Sequence, residues 1–369
     1  MGHGQGAVEK MVAVDKDFWH GRRVLLTGHT GFKGSWLSLW LQQLGAQLVG
    51  YALAPPTIPN LFSSAHVADG MQSVIGDVRD SSQLRSVFDE HKPEIVIHMA
   101  AQSLVRRSYS EPVETYATNV MGTVNVLENC RGSDSVKVVI NVTSDKCYEN
   151  QGWLRGYRET DSMGGYDPYS SSKACAELVT AAYRRSFFAD GNGKSIGLAS
   201  ARAGNVIGGG DWAEDRLIPD IIRAFLASAP VIIRNPRAVR PWQHVLEPLL
   251  GYLHLTQALW TLPAEYAEGW NFGPDESDAR EVAWIVQNMV ELWGGTASWR
   301  HDNSAQPYEA SFLKLECTKA KTRLGWTPTL GLARALQWTV AWYAAQRDGD
   351  NMRAFSLEQI ADFENLVSR

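Results

Sequence analysis

Two residues one helical turn apart begin the chemical reading. Tyr169-Ser170-Ser171-Ser172-Lys173 sets a phenol and an ammonium on one face of a helix. A nearby ammonium lowers a phenol's pKa, and the phenolate can then take a hydroxyl proton as hydride leaves. Lys173 is also spaced to hold a nicotinamide ribose. The bland alternative is a surface helix pair; the position just past 141–147 favours chemistry. A second pattern is Gly28-x-x-Gly31-x-x-Gly34, within Thr27-Gly28-His29-Thr30-Gly31-Phe32-Lys33-Gly34. The first glycine permits a tight turn, the second lets backbone approach a pyrophosphate, and the third lets helix and strand pack closely. The helix N-terminus beyond offers free N–H groups to phosphates. Ordinary turns use glycine too, so the flanking strand and helix carry the dinucleotide reading.

These patterns need elements to hold them. Apolar runs at 23–27, 47–52, 73–77, 94–100, 137–142 and 195–201 read as strands. Helical spacing covers 35–44, 82–91, 112–130 and 168–188, and Gly45 ends the first of these. Nearly continuous apolar strands alternating with helices predict α/β architecture, a doubly wound parallel sheet of Rossmann type. After Gly204 the pattern changes: Gly208-Gly209-Gly210-Asp211 reads as a loop, and Arg, Trp and Pro become frequent. This predicts a cofactor domain over 15–203 with a returning segment near 241–285. A smaller α/β substrate domain takes 204–240 and 286–369, and a disordered leader takes 1–14. The active site is expected in the crevice between the domains.

Bulk properties exclude other classes. The chain has 369 residues, 44% hydrophobic and 20% charged, and a formal charge of -5, so no nucleic-acid surface is expected. The four cysteines form no C-x-x-C pair and lie near no histidine at metal-ligand spacing. Neither a metal nor a disulfide framework is expected, and a reducing cytoplasm fits. The greasiest stretch, 245–262, is interrupted by Glu247, Pro248 and His254, so no membrane span is expected. The second strand ends Tyr51-Ala52-Leu53, without the acid that usually binds the NAD ribose. Lys33 is either a solvated loop charge or a partner for a ribose phosphate, which leaves NAD and NADP both open. Asp77 is either an adenine-edge contact or an N-cap of the next helix.

Six motifs in order extend the pattern over nearly the whole chain. They are the glycine loop, Gly76-Asp77, His98-Met99-Ala100-Ala101, Asn119-Val120-x-Gly122-Thr123, Tyr169-x-x-x-Lys173 and Arg202-x-x-Asn205-Val206-x-Gly208. Together they resemble the extended short-chain dehydrogenase/reductase family. Ser144-Asp145-Lys146, Gly209-Gly210-Asp211-Trp212 and Arg240-Pro241-Trp242-Gln243-His244-Val245 are similar to its sugar-nucleotide 4,6-dehydratases. The resemblance implies NAD as cofactor, lined by Gly28, His29, Thr30, Gly31, Phe32, Lys33, Gly34, Asp77, Val78, Ala100, Ala101, Asn119, Tyr169 and Lys173. It implies CDP-glucose as substrate, held by Ser103, Asn205, Arg216 and Arg240, and a role in dideoxyhexose supply for bacterial surface polysaccharides. It also implies dimers or tetramers, with helices 112–130 and 168–188 forming a four-helix bundle. His98 and His244 are expected to be structural, His29 to face solvent, and the tryptophans to be mostly core.

The resemblance implies a redox-neutral sequence: oxidation at sugar carbon four, elimination of water across carbons five and six, and re-reduction. Tyr169 is the base, Ser144 its helper and Asp145 the acid that protonates the leaving hydroxyl, which requires a pKa above the usual carboxyl value of about 3.9. Lys146 stands where most relatives carry a carboxylate. It is either the carbon-five base, which requires a pKa far below about 10.4, or a partner of Asp145 that stabilises the enolate. Direct participation is favoured. His29 and Lys33 in the loop suggest loose cofactor binding. Two competing readings remain: another nucleotide-sugar enzyme, such as a dTDP- or GDP-sugar dehydratase or a 4-epimerase, and a non-catalytic dinucleotide sensor.

Overall fold

The computed structural model describes residues 13–189, 195–302 and 313–369. The leader expected over 1–14 lies outside the described residues except for its last two positions. The first half builds β1 (Arg23–Thr27), β2 (Gln47–Ala52), β3 (Gln72–Ile75), β4 (Ile95–His98), β5 (Val138–Val142) and β6 (Gly197–Ala203). Four short strands follow: β7 (Val206–Ile207), β8 (Val231–Ile233), β9 (Val239–Pro241) and β10 (Gln243–His244). The chain then returns to the main sheet as β11 (Gly269–Phe272), before β12 (Ala279–Glu281) and β13 (Trp299–His301).

The main sheet has seven strands in the order β11-β6-β5-β4-β1-β2-β3, and every pairing is parallel. All residues of β4, β5 and β6 are buried, as expected where helices cover both faces. The strand order reverses beside β1, so the chain ends after β1 and β4 open a crevice between them. The covering helices are α1 (Phe32–Gln43), α2 (Ser81–His91), α3 (Pro112–Tyr116), α4 (Gly122–Gly132) and α5 (Pro168–Tyr183). The helix expected at 112–130 is continuous but not uniform. A π-turn at Ala117–Met121 joins α3 to α4 and carries Asn119, an arrangement common at functional sites.

The second lobe contains α6 (Leu217–Leu226) and α8 (Val282–Trp293), with β8 paired to β13 and β9 to β12. The apolar stretch at 245–262 forms α7 (Leu246–Thr261), in which even Glu247 and His254 are buried. Among the described residues no helix is long and apolar enough to cross a membrane. Two helices end the chain, α9 (Leu332–Asp348) and α10 (Met352–Val367). The last returns to the main sheet's helices, where Trp40 of α1 meets Phe363 edge-on at 5.8 Å and donates to Glu364 at 2.8 Å. Eight of the fourteen tryptophans are buried, so they are mainly core.

Candidate active site

The glycine turn follows β1. Gly28 has φ +80°, and a Cβ there would stand 2.8 Å from the Ala100 nitrogen. A Cβ on Gly34 would stand 2.1 Å from the Gly28 carbonyl, whereas one on Gly31 would meet that oxygen at 3.4 Å. Packing therefore demands glycine at 28 and 34, while at 31 it leaves open backbone. Gly31 caps α1 without a side-chain hydrogen bond, so the first N–H groups of a twelve-residue helix remain available to an anion. The Thr30 hydroxyl ties the turn to the Leu53 carbonyl at 2.8 Å. Behind it, the Thr27 hydroxyl contacts His98 Nδ1 at 2.7 Å and accepts from the Met99 and Ala100 amides. His98 Nε2 meets the Thr123 hydroxyl at 3.2 Å, and burial holds its pKa near 3, so the ring is a neutral bridge. Asn119 clasps the Gln102 backbone from both ends, accepting at 2.9 Å and donating at 3.0 Å.

The reactive groups meet where β5 ends. Ser144 caps a short turn, Asp145–Cys147; its hydroxyl donates to Asp145 at 3.0 Å and accepts from the Lys146 amide at 3.2 Å. Burial raises the Asp145 carboxyl above the usual range, opposed by Lys146, Ser144 and Arg240. Gly204 makes room for it, since a Cβ there would stand 2.8 Å from its Oδ2. Asp167 caps α5 through the Ser170 amide at 2.9 Å, which sets Tyr169 in the first turn and Lys173 one turn on. Both are buried. Burial pushes the Tyr169 phenol up to about 12, although its hydrogen bond with Ser144 works the other way. Burial pulls the Lys173 amine down to about 8, opposed by Glu177 and Cys147, and Nζ donates to the Val142 carbonyl at 3.4 Å.

The second lobe faces this cluster with arginines. Arg216 pairs with Asp211 at 3.0 Å and donates to the Ser103 hydroxyl at 2.9 Å. Its charge acts on Tyr169 and Lys33, and that of Arg240 on Asp145. Arg240 lies in β9, opposite Arg280 of β12. Asn205 is half-buried, and its carbonyl accepts from the Gln243 amide at 3.1 Å.

Residues 25–339 match the model of the GDP-mannose 4,6 dehydratase family. The chain belongs to that family. This places it among the nucleotide-sugar dehydratases of the extended short-chain group. The family member is 56% identical to a CDP-glucose 4,6-dehydratase of Salmonella typhimurium over 96% of this chain and all of that one. It is 25% identical to a dTDP-glucose 4,6-dehydratase of Xanthomonas campestris over 86% of this chain and 92% of that one. An epimerase from Methanothermobacter thermautotrophicus has a TM-score of 0.78 at 21% identity, covering 92% of this chain and 96% of its own. A dTDP-glucose 4,6-dehydratase from Bacillus anthracis, solved with NAD, has a TM-score of 0.72 at 21% identity, covering 89% and 98%.

Several expectations about individual side chains are corrected in this dehydratase. His29 does not face solvent: it is fully buried, with Nε2 on the Ser73 hydroxyl at 2.7 Å and its ring filling the space left by Gly50. Burial keeps it neutral, with a pKa near 4. Lys33 is neither a solvated loop charge nor directed at the end of β2. It turns inward and donates to the Tyr252 hydroxyl of α7 at 2.8 Å, and burial with Lys173 and Arg216 lowers its pKa to about 7. Asp77 is not the cap of α2, a place taken by Asp80. It pairs with Arg79 at 2.6 Å, and Val78 beside it packs on Gly122. The expected lowering of the Tyr169 pKa is absent, because burial outweighs every charge near it. Sequence reasoning missed Tyr252 and Glu177. Nothing local marks Tyr252, but Glu177 follows Lys173 at helical spacing and was open to the same face argument.

Proposed function

We propose that the chain is a CDP-glucose 4,6-dehydratase, converting CDP-D-glucose to CDP-4-dehydro-6-deoxy-D-glucose and water. What carries this reading is the Ser144-Asp145-Lys146 turn facing Tyr169 and Lys173, in a chain 56% identical to the Salmonella enzyme of that name. An epimerase needs no acid for a departing hydroxyl, and a sensor needs no buried tyrosine and lysine. Bound NAD supplies a hydride acceptor for sugar carbon four and later a hydride donor for carbon six. The residues fit such a group: an uncapped helix start, open backbone at Gly31, and a buried Lys173 amine that donates to the Val142 carbonyl at 3.4 Å. Phe32 at the start of α1 and Ala100 and Ala101 just after β4 are read as part of the same cofactor lining. Tyr169 acts as base in its phenolate form, which the Ser144 hydrogen bond and the Arg216 charge favour against burial, and takes the proton from the carbon-four hydroxyl. Asp145, whose carboxyl burial raises above the usual range, gives a proton to the leaving hydroxyl of carbon six. Lys146 takes the carbon-five proton and returns it to carbon five as carbon six is reduced, or it steadies the enolate that loss of that proton creates. Arg216, Arg240, Asn205 and Ser103 orient the nucleotide diphosphate and sugar.

Val113, Tyr116 and Met121 on the 112–132 helix and Leu178 on α5 are exposed apolar residues on neighbouring helices. We take this face as the seat of a homodimer, to be checked by sedimentation of Leu178→Glu. The free cysteines suit a cytoplasmic enzyme supplying dideoxyhexose precursors for surface polysaccharide. The domain division proposed is 15–203 with 241–285 for the cofactor, and 204–240 with 286–369 for the nucleotide sugar.

The test is a panel of CDP-, dTDP-, GDP- and UDP-sugars, with and without NAD or NADP, read by the alkaline absorbance of a 4-keto-6-deoxy product. Product from CDP-glucose with NAD is expected, and exhaustively dialysed protein should be largely inactive until NAD is added. Preferred turnover of another nucleotide sugar would overturn the assignment.

A further inference from the structure

Behind the catalytic turn lies a buried ion pair that the reaction scheme does not use. Glu177 and Arg202 meet at 2.7 Å, both almost fully enclosed. The carboxylate also accepts from the Thr143 hydroxyl at 2.5 Å and the Ser200 hydroxyl at 2.6 Å. Arg202 in turn donates to the Tyr148 hydroxyl at 2.6 Å, which donates to Asn271 at 2.7 Å. One carboxylate therefore gathers α5, the end of β5 and the middle of β6. Its placement is specific. Thr143 immediately precedes Ser144-Asp145, and Lys173 lies one turn before Glu177 on the same helix face.

A buried ion pair is a poor device for stability alone, because desolvation offsets much of the attraction. It is a good device for geometry, since charge-assisted bonds in a low dielectric tolerate little displacement. We propose that Glu177 is a positioning residue of the dehydration reaction, fixing the Ser144-Asp145 turn relative to Tyr169 and Lys173. It rests on the dehydratase reading above. Its charge also sustains the Lys173 ammonium against burial, with Cys147 acting the same way, while Lys33 of α1 and His98 of β4 feel that ammonium. Arg202, Arg184 and Cys147 are the other titratable groups that feel Glu177.

Three variants of the full chain separate position from charge: Thr143→Val, Glu177→Gln and Glu177→Asp. Kinetics with CDP-glucose and NAD, crystal structures without ligands, and the titration of Lys173 by NMR of isotopically labelled lysine are the readouts. Thr143→Val should lower kcat about tenfold with KM within about threefold, displace Ser144 from Tyr169, and leave the Lys173 titration in place. Glu177→Gln should lower kcat by about a hundredfold and move the Lys173 titration to lower pH. Glu177→Asp, too short to reach Thr143 and Ser200 together, should lose kcat but keep that titration. Catalytic groups superimposable on the wild type, with an unmoved titration and any kcat loss tracking the loss of folded protein, would overturn the proposal. If the wild type turns over no CDP-glucose, the dehydratase reading fails, while the titration and the crystal structures still decide what Glu177 does.

Discussion

Asp145 and Lys146 are adjacent in the chain but live in different surroundings: the acid is buried and the lysine half-buried beside it. Burial raises the acid's pKa, the direction a proton donor needs, and in the proposed mechanism the adjacent lysine acts on the same sugar. Lys146→Met is expected to leave carbon-four oxidation intact and to abolish exchange of the carbon-five hydrogen with deuterated solvent. Normal turnover in that variant would remove Lys146 from the mechanism. Tyr169→Phe should lose about 10²–10⁴ in kcat, the usual worth of a positioned proton-transfer group. Both residues were legible in the sequence because helical spacing and a strand end fix where such groups point. His29 and Lys33 were not. A loop position says nothing about which way a side chain turns, and here both turn inward, onto Gly50 and Tyr252.

Among elements, the glycine turn allows a sharp contrast. Gly34→Ala forces a methyl to 2.1 Å from the Gly28 carbonyl and should cost folding stability, visible as a lowered Tm. Gly31→Ala meets only a 3.4 Å contact. It should fold with a Tm near the wild type but bind NAD more weakly by calorimetry, because the methyl stands over the open backbone. Equal Tm losses in the two variants would contradict this division of roles.

The N-terminus of α7 carries a different device. Glu247 is buried, and its carboxylate accepts from the Thr329 and Leu330 amides at 2.9 and 2.5 Å, so it clamps the chain ahead of α9. Burial raises its pKa to about 8. The folded state thus holds a proton that the unfolded chain releases near pH 4.5. Its contribution is complete below that pH and is lost as pH rises through about 8. Glu247→Gln should flatten the decline of Tm across that interval; an unchanged profile would exclude the group. Element types were readable from apolar periodicity, yet α7 was read only as a stretch too interrupted to span a bilayer. Its interruptions, Glu247 and His254, are buried polar groups whose surroundings come from distant residues that periodicity cannot reveal.

At the scale of the molecule, four buried imidazoles set acid tolerance. His29, His98, His244 and His254 are all pulled down by burial, to about 4, 3, 3 and 4. Each stays neutral in the folded state while the unfolded chain protonates near pH 6.5. Stability present above that pH is lost as pH falls towards the folded values, by up to about 1.4 kcal/mol per pH unit for each ring. Denaturant midpoints should therefore fall steeply between pH 6.5 and 4, and the fall should become shallower in His244→Gln. A midpoint independent of pH in that range would refute the account. The parallel sheet itself was predictable from its buried strands; β11 at its edge was not read as a strand, since a four-residue strand carries little pattern of its own.

The contact of α10 with α1 bears on how the protein is made. Trp40 reaches across 324 positions to Glu364, so the outer face of α1 closes only when α10 docks on it. Synthesis runs from Trp40 towards Glu364, and a growing chain therefore carries that tryptophan-bearing face without its α10 partner until α10 has been made.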